Sequence, residues 1–180
     1  HTGRRFTMTE VLRAGISSVW QGPLLKPTRP VEAALNRTAA GMQLSVRGSY
    51  ERPDTAGQFI DGGYTLLVTP DGTIEINYDY APRNATGTFL EAGFALSVNP
   101  VHDQFRWIGQ GPYAGYPGKE QLNEFGLHHL SSADLRFHGN RRGVQVAVLS
   151  TLAGTGLALA GESMDIAVEN PQPAATHSLG

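Results

Sequence analysis

Cysteine is absent from the 180-residue chain, which excludes disulfide bonds and thiolate metal sites. A basic excess is absent too: 14 lysine and arginine residues face 16 aspartate and glutamate residues, and the net charge of −2 argues against a nucleic-acid partner. No apolar run approaches the roughly 20 residues of a membrane-spanning helix, so no membrane partner is expected. Since no apolar stretch follows the arginines of HTGRRFTMTE, we expect no signal peptide in this chain, and the sequence leaves both the cytoplasm and the periplasm open.

Turn-forming residues, by contrast, are plentiful: 22 glycines and 11 prolines are spread along the chain. Between them, side chains alternate with period 2, the pattern of a strand with one buried face. In TIEINYDY, residues 73–80, two isoleucines and two tyrosines fall on one face and polar side chains fall on the other. The preceding Asp71-Gly72 pair is a strong hairpin signal, because glycine tolerates the positive φ of such turns.

Many short strands separated by turns indicate an all-β fold, an antiparallel β-sandwich. We expect residues 1–170 to form the sandwich domain and residues 171–180 to form a flexible tail. Two stretches, 31–39 and 119–129, are predicted to form a helical turn or two, and a tight turn is expected at Gly161. Besides 73–80, the predicted strands are residues 5–12, 15–20, 42–48, 58–67, 89–98, 104–108, 144–150, 156–160 and 164–168.

The stretch FRWIGQGPYAGYPGK, residues 105–119, concentrates aromatic rings and turn residues. A strand at its start would place Phe105 and Trp107 on one face, and the loop that follows would present Tyr113 and Tyr116. Aromatic faces with a polar tip suit sugar rings, whose C–H faces stack and whose hydroxyls need hydrogen bonds. The alternative is that these rings cap one end of the hydrophobic core.

From Trp107 to Lys119 this stretch resembles W-x-G-x-G-P-x-E-x-Y-P-D-R, the signature of the C-terminal β-sandwich, of small-chain type, in glycoside hydrolase family 2 β-galactosidases. The resemblance covers most of the chain in order. Its other segments are residues 3–30, 72–82, 94–100, 137–144 and 151–162. The chain departs from the signature at its glutamate and Asp-Arg positions, where it has Ala114, Gly115, Gly118 and Lys119.

This resemblance implies a galactose-mutarotase-like supersandwich, whose last strands the chain could lack. It also implies a non-catalytic domain that packs on a catalytic barrel and helps shape the binding site for a galactoside-like carbohydrate. Both carboxylates of family-2 hydrolysis lie on that barrel, so no catalytic residue is implied here, and no cofactor or metal. The candidate sugar-binding residues are Trp107, Tyr113 and Tyr116 for stacking, with His138, Asn140 and Arg141 as polar partners.

Two other functions stay open. The chain could be a free-standing carbohydrate-binding module. It could also be an aldose-epimerase-like enzyme, in which His138 with Glu162, or His102 with Glu120, supplies acid/base catalysis. No metal site is expected, because the adjacent histidines at 128–129 would point to opposite faces of a strand and no zinc-ligand spacing is present.

Overall fold

The computed structural model describes residues 7–14, 26–27, 32–51, 57, 59–83, 89–115, 118, 121–134 and 139–168. In this part of the chain every regular element is a strand and every pairing is antiparallel, which confirms the predicted all-β, antiparallel sandwich class. Among the same residues no helix is long and apolar enough to cross a bilayer. The strands are β1 (Thr7–Ala14), β2 (Lys26–Pro27), β3 (Glu32–Arg37), β4 (Met42–Glu51), β5 (Phe59–Val68), β6 (Ile74–Arg83), β7 (Phe89–Ser97), β8 (Gln104–Gly111), β9 (Glu124–Ser131), β10 (Asn140–Ser150) and β11 (Gly156–Ala167).

The two stretches predicted to form helical turns contain strands instead. Within residues 31–39, β3 pairs with β4 along its whole length. Within residues 119–129, β9 begins at Glu124 and pairs with β8. Both predictions were wrong because pairing with a neighbouring strand overrides a weak local preference for helix.

The turn predicted at Gly161 is also wrong, because β11 runs through it without a break. The pairing of β10 with β11 shifts at this point: Val144 pairs with Met164, whereas Val146 pairs with Ala160. Extra residues on one strand of a pair form a β-bulge, so β11 continues past Gly161 instead of ending in a turn. The strand predicted at residues 15–20 and the predicted tail lie outside the described residues.

Residues Thr7–Ser97 form one compact unit, and the chain from Val98 onward forms a second. The expectation that residues 1–170 act as one domain stays a prediction. In the first unit the sheet order is β2-β4-β5-β6, with β3 also paired to β4, and β1 pairs with β7. The predicted hairpin joins β5 to β6, and Gly72 has a φ of 90°, the left-handed region that favours glycine.

The two faces of the five-stranded sheet differ, as the alternation in β6 predicts. On one face, Phe94 of β7 packs edge-on against Tyr64 and Tyr78, with ring centroids 5.3 and 5.8 Å apart. The opposite face is polar and carries an ion pair between Arg47 and Asp79, whose nitrogen and oxygen lie 3.1 Å apart. The aromatic face therefore holds β7 against the sheet.

The second unit is a four-stranded sheet in the order β11-β10-β8-β9. Phe105 and Trp107 of β8 lie on one face of the strand, as predicted, and both are buried in the hydrophobic core, while Arg106 and Ile108 lie on the opposite, exposed face. Partly buried side chains of β10 and β11 complete the packing around this core. The buried core residues are Phe105, Trp107, Leu130, Val144 and Ala147.

Asp71 fixes the turn between β5 and β6. The Thr69 hydroxyl and the Thr73 main-chain N–H both donate to Asp71 Oδ1, the latter at 3.0 Å. The Thr69 hydrogen bond is the main cause that holds the pKa of Asp71 below its ordinary value of 3.8. Because the folded-state pKa is lowered, the resulting stabilisation is fully present above the ordinary value and is lost as the pH falls through the folded-state pKa.

Replacing Thr69 with valine should raise the pKa of Asp71 towards 3.8, because the largest cause of the shift is removed. The variant should be less stable than the wild type near neutral pH, and this difference should shrink once the pH is low enough to protonate Asp71 in both proteins. Carboxyl NMR titration measures the pKa, and urea unfolding at several pH values measures stability. Thr38→Val is the control, because the Thr38 hydroxyl donates to the Gly41 carbonyl in another turn. An unchanged Asp71 pKa in Thr69→Val would contradict the prediction.

Candidate functional site

A loop at residues 112–115 follows β8 directly and presents Tyr113, whose side chain is 44% exposed. Two main-chain hydrogen bonds fix this loop. The N–H of Tyr113 donates to Asn123 Oδ1, and the N–H of Gly115 donates to the Asn140 carbonyl, both at 2.9 Å. The loop is thus attached to the segment before β9 and to the start of β10, and the exposed aromatic ring is carried on a fixed backbone.

Trp107 lies beneath this loop and is only 1% exposed. Its ring stacks on Phe105, with centroids 4.8 Å apart and planes at 17°, and lies 5.1 Å from the ring of His128. The indole N–H donates to the Gln110 carbonyl at 2.9 Å. Of the two roles that the sequence leaves open for Trp107, the ring has the core role, and in this position it offers no face to a sugar.

Arg141, predicted to be a polar partner of a sugar, is buried as well. Its Cζ lies 5.2 Å from the centroid of the Trp107 ring, in reach of a cation–π interaction. Its Nη1 donates to the carbonyls of Gly139 and Asn140, at 3.2 and 3.3 Å. The guanidinium group therefore faces the protein interior and ties the start of β10 to the core.

The Asn140 carbonyl receives hydrogen bonds from both the loop and the core. It accepts from the N–H of Gly115 and from Nη1 of Arg141. Asn140 itself is half-buried and opens β10 opposite Ala167 of β11. The structure thus brings Trp107, Arg141 and Asn140 together at the base of the loop that carries Tyr113. The other two predicted sugar-binding residues, Tyr116 and His138, lie outside the described residues.

Gly111, the last residue of β8, makes this packing sterically possible. A Cβ atom at position 111 would lie 2.7 Å from the His128 ring and 2.8 Å from the Trp107 ring. Contacts that short do not occur between ordinary side chains, so a larger residue would push the two rings apart. The second glycine of the W-x-G-x-G-P stretch, Gly111, is therefore needed so that the two rings can lie close to the backbone.

His128 and Asn123 belong to this site but were not predicted. His128 Nε2 donates to the Glu124 carbonyl at 3.0 Å on the core side of β9, whereas His129 Nε2 contacts Gln104 Oε1 at 2.9 Å on the other side. The two histidines do point apart, as expected for neighbours on a strand. The pairing of His128 with Trp107 places it in the site. That pairing follows only once β9 is known to be a strand beside β8.

Acid/base catalysis by His–Glu pairs is an alternative that the sequence leaves open, and no metal site is expected from it. Both proposed His–Glu pairs include a residue outside the described part of the chain, so those pairs stay predictions. In the residues that the structure does describe, no group of three or more His, Asp or Glu side chains is placed to hold a metal ion.

A second surface feature lies on the polar face of the first unit, where a depression of about 300 Å³ opens on β4, β5 and β6. In its floor, Gly63 of β5 lies between Arg47 of β4 and Asp79 of β6, which form the ion pair across it. The hydroxyl, amide and charged groups around it could hydrogen-bond a polyhydroxylated ligand. None of its lining residues was predicted from the sequence to bind a ligand. The polar side chains that line it are Ser45, Arg47, Thr65, Asn77 and Asp79.

The fold and site define an antiparallel β-sheet domain that presents an aromatic ring on a fixed loop beside a buried tryptophan–arginine pair. The family model of the β-galactosidase small chain matches residues 18–169 of the sequence. The chain therefore belongs to this family. A β-galactosidase from Pseudoalteromonas haloplanktis is 32% identical over 73 residues, which are 40% of this chain and 7% of that protein. The chain thus spans a small part of the length of the curated relative that it matches.

The buried and exposed rings of the site should respond differently to truncation. Trp107→Ala should lower the free energy of unfolding by about 3–5 kcal/mol, because it removes a fully buried ring from the core. Tyr113→Ala should change it by less than about 0.5 kcal/mol, because that ring is half exposed. Denaturant unfolding followed by circular dichroism measures both. A small loss in Trp107→Ala would contradict the core role.

Proposed function

We propose that this chain is the C-terminal, non-catalytic small-chain domain of a glycoside hydrolase family 2 β-galactosidase. In this role it packs against the catalytic barrel and shapes the entrance through which a galactoside reaches the active site. The observation that carries the proposal is the match of the small-chain family over residues 18–169, which is most of the chain. The Trp107–Lys119 resemblance to the family-2 signature supports the same assignment.

Within this proposal, Tyr113 is the residue that stacks on the sugar. Its ring is exposed, and the two hydrogen bonds that hold its loop reduce the entropy lost when a ligand binds. Tyr116, His138 and Asn140 are the proposed further contacts. Trp107 and Arg141 act through the protein rather than on the sugar, because both are buried at the base of the loop.

The chemistry would come from the barrel. Glycoside hydrolysis needs one carboxyl group to protonate the leaving oxygen and a second to attack or activate water at the anomeric carbon. The small-chain domain would contribute binding energy and exclude water at the rim of that site. Hydrolysis consumes the galactoside and one water molecule and needs no oxidant or group carrier, so no cofactor is proposed for this chain.

Tyr113→Ala in the assembled β-galactosidase should raise KM for a galactoside by about three- to tenfold, the value of one aromatic contact. The value of kcat should change little, because a stacking contact of this kind binds substrate and transition state alike. Steady-state hydrolysis of a nitrophenyl galactoside measures both constants. Tyr113→Phe is the matched control: it keeps the ring and should keep KM near the wild-type value. An unchanged KM in Tyr113→Ala would refute the stacking role.

Three results with the isolated chain would bear on the alternatives. Galactoside binding by the chain alone, measured by calorimetry, would indicate a free carbohydrate-binding module. Loss of that binding in Asn77→Ala but not in Tyr113→Ala would place the ligand in the polar depression of the first unit. Faster mutarotation of freshly dissolved galactose would indicate an epimerase-like enzyme.

A further inference from the structure

The four-stranded sheet of the second unit exposes an apolar stripe on the face opposite its core. Ile108 of β8 pairs with Leu127 on β9 and with Val146 on β10, so the three side chains lie in one row across the strands. Leu127 is 75% exposed, and Phe125, two residues earlier on the same strand, is 55% exposed. Because side chains two apart on a strand share a face, all four form one surface, here called the outer stripe.

The surroundings of the outer stripe resemble those of a protein interface. Arg106 and His129 lie opposite each other on the same face, two residues along their strands from Ile108 and Leu127. Gln110 lies beside Phe125 at the other end. An apolar centre with a polar rim is the usual anatomy of a protein–protein contact, whereas single exposed apolar residues are ordinary on a surface. Contiguous exposed apolar patches larger than a few hundred Å² mark such contacts.

We propose that the outer stripe is the surface that docks on the larger part of the β-galactosidase, an inference that rests on the proposed function. The matched 73 residues are 7% of the Pseudoalteromonas protein, so more than nine-tenths of that polypeptide lies outside the match. A domain of such a protein needs an interface with the remainder, and interfaces of this kind cover roughly 600–1,500 Å². The outer stripe supplies its apolar centre.

The side chains of the outer stripe favour the larger part of the β-galactosidase as the partner, rather than a carbohydrate or a second copy of this chain. The central row of Leu127, Ile108 and Val146 offers a sugar neither a flat ring nor a hydrogen bond. The one ring of the outer stripe, Phe125, lies beside this row, so most of the stripe suits an apolar protein surface rather than a carbohydrate. A second copy of the chain would have to meet its own surface across a two-fold axis. That arrangement would bring the basic side chains of two Arg106 residues to one interface, whereas a different protein surface can offer an acid.

The test is co-purification of the full 180-residue chain with a tagged larger chain of the β-galactosidase. Leu127→Lys should weaken the association about tenfold or more, because it places a charge at the centre of the contact. Leu152→Lys is the matched control: Leu152 is 87% exposed but lies in the turn between β10 and β11, off the stripe. It should leave the Kd unchanged. Circular dichroism and urea unfolding check that both variants fold as the wild type does.

The outcomes separate this inference from the function on which it rests. Wild-type association that Leu127→Lys leaves intact would overturn the docking surface and leave the proposed function standing. No association of the wild-type chain with the larger chain would overturn both. If Leu127→Lys abolishes self-association of the chain but not its binding to the larger chain, the stripe is covered by a second copy and the inference is wrong.

Discussion

The second unit depends on one buried arrangement, in which the Trp107 ring contacts both another ring and a guanidinium group. Burying a charged arginine is costly unless its hydrogen bonds and its charge are satisfied. The Trp107 face and two main-chain carbonyls contribute to this for Arg141. Because the Asn140 carbonyl also holds Gly115 of the loop, the packing of the core and the position of the exposed Tyr113 are fixed by the same contacts.

Strand β8 links three features of this unit. Its alternate residues Phe105 and Trp107 fill the core, the residues between them face outward, and the loop with Tyr113 follows its last residue. A shift of one residue in its pairing would exchange the two faces and bury the outward-facing Arg106. The register of one strand therefore sets the core, the loop and the outer stripe together, which suits a domain whose proposed work is to present surfaces to a larger protein.

The sequence predicted the features that follow from local rules. The β5–β6 hairpin follows from Asp71-Gly72, and the orientation of Phe105 and Trp107 follows from period-2 alternation. Strand β3 was missed because EAALNR carries good helix formers, and only its pairing with β4 makes it a strand. Strand β9 was missed because Phe125 and Leu127 put apolar side chains on the face that a sheet normally leaves polar, which disrupts the alternation.

The buried role of Arg141 could not be predicted from the sequence either, because arginine is almost never fully buried unless its charge is partnered. That partner, Trp107, lies more than 30 residues earlier in the chain. Contacts at such separation depend on strand pairing and on a bulge, and neither has a local sequence signal here. Tertiary packing, rather than residue type, decided which of the predicted sugar-binding residues became core and which stayed exposed.

The W-x-G-x-G-P stretch can now be divided by what its residues do. Trp107 and Gly111 serve packing: the ring fills the core, and the glycine leaves room for that ring and for His128. The departures from the family-2 signature at Ala114 and Gly115 fall on the loop instead, where a glutamate would add charge beside a ligand. The residues of the signature that this chain shares at Trp107 and Gly111 therefore serve to pack the end of β8. The proposed sugar contact then falls to the loop residues, and among the described residues the exposed ring of Tyr113 is the group best placed to make it.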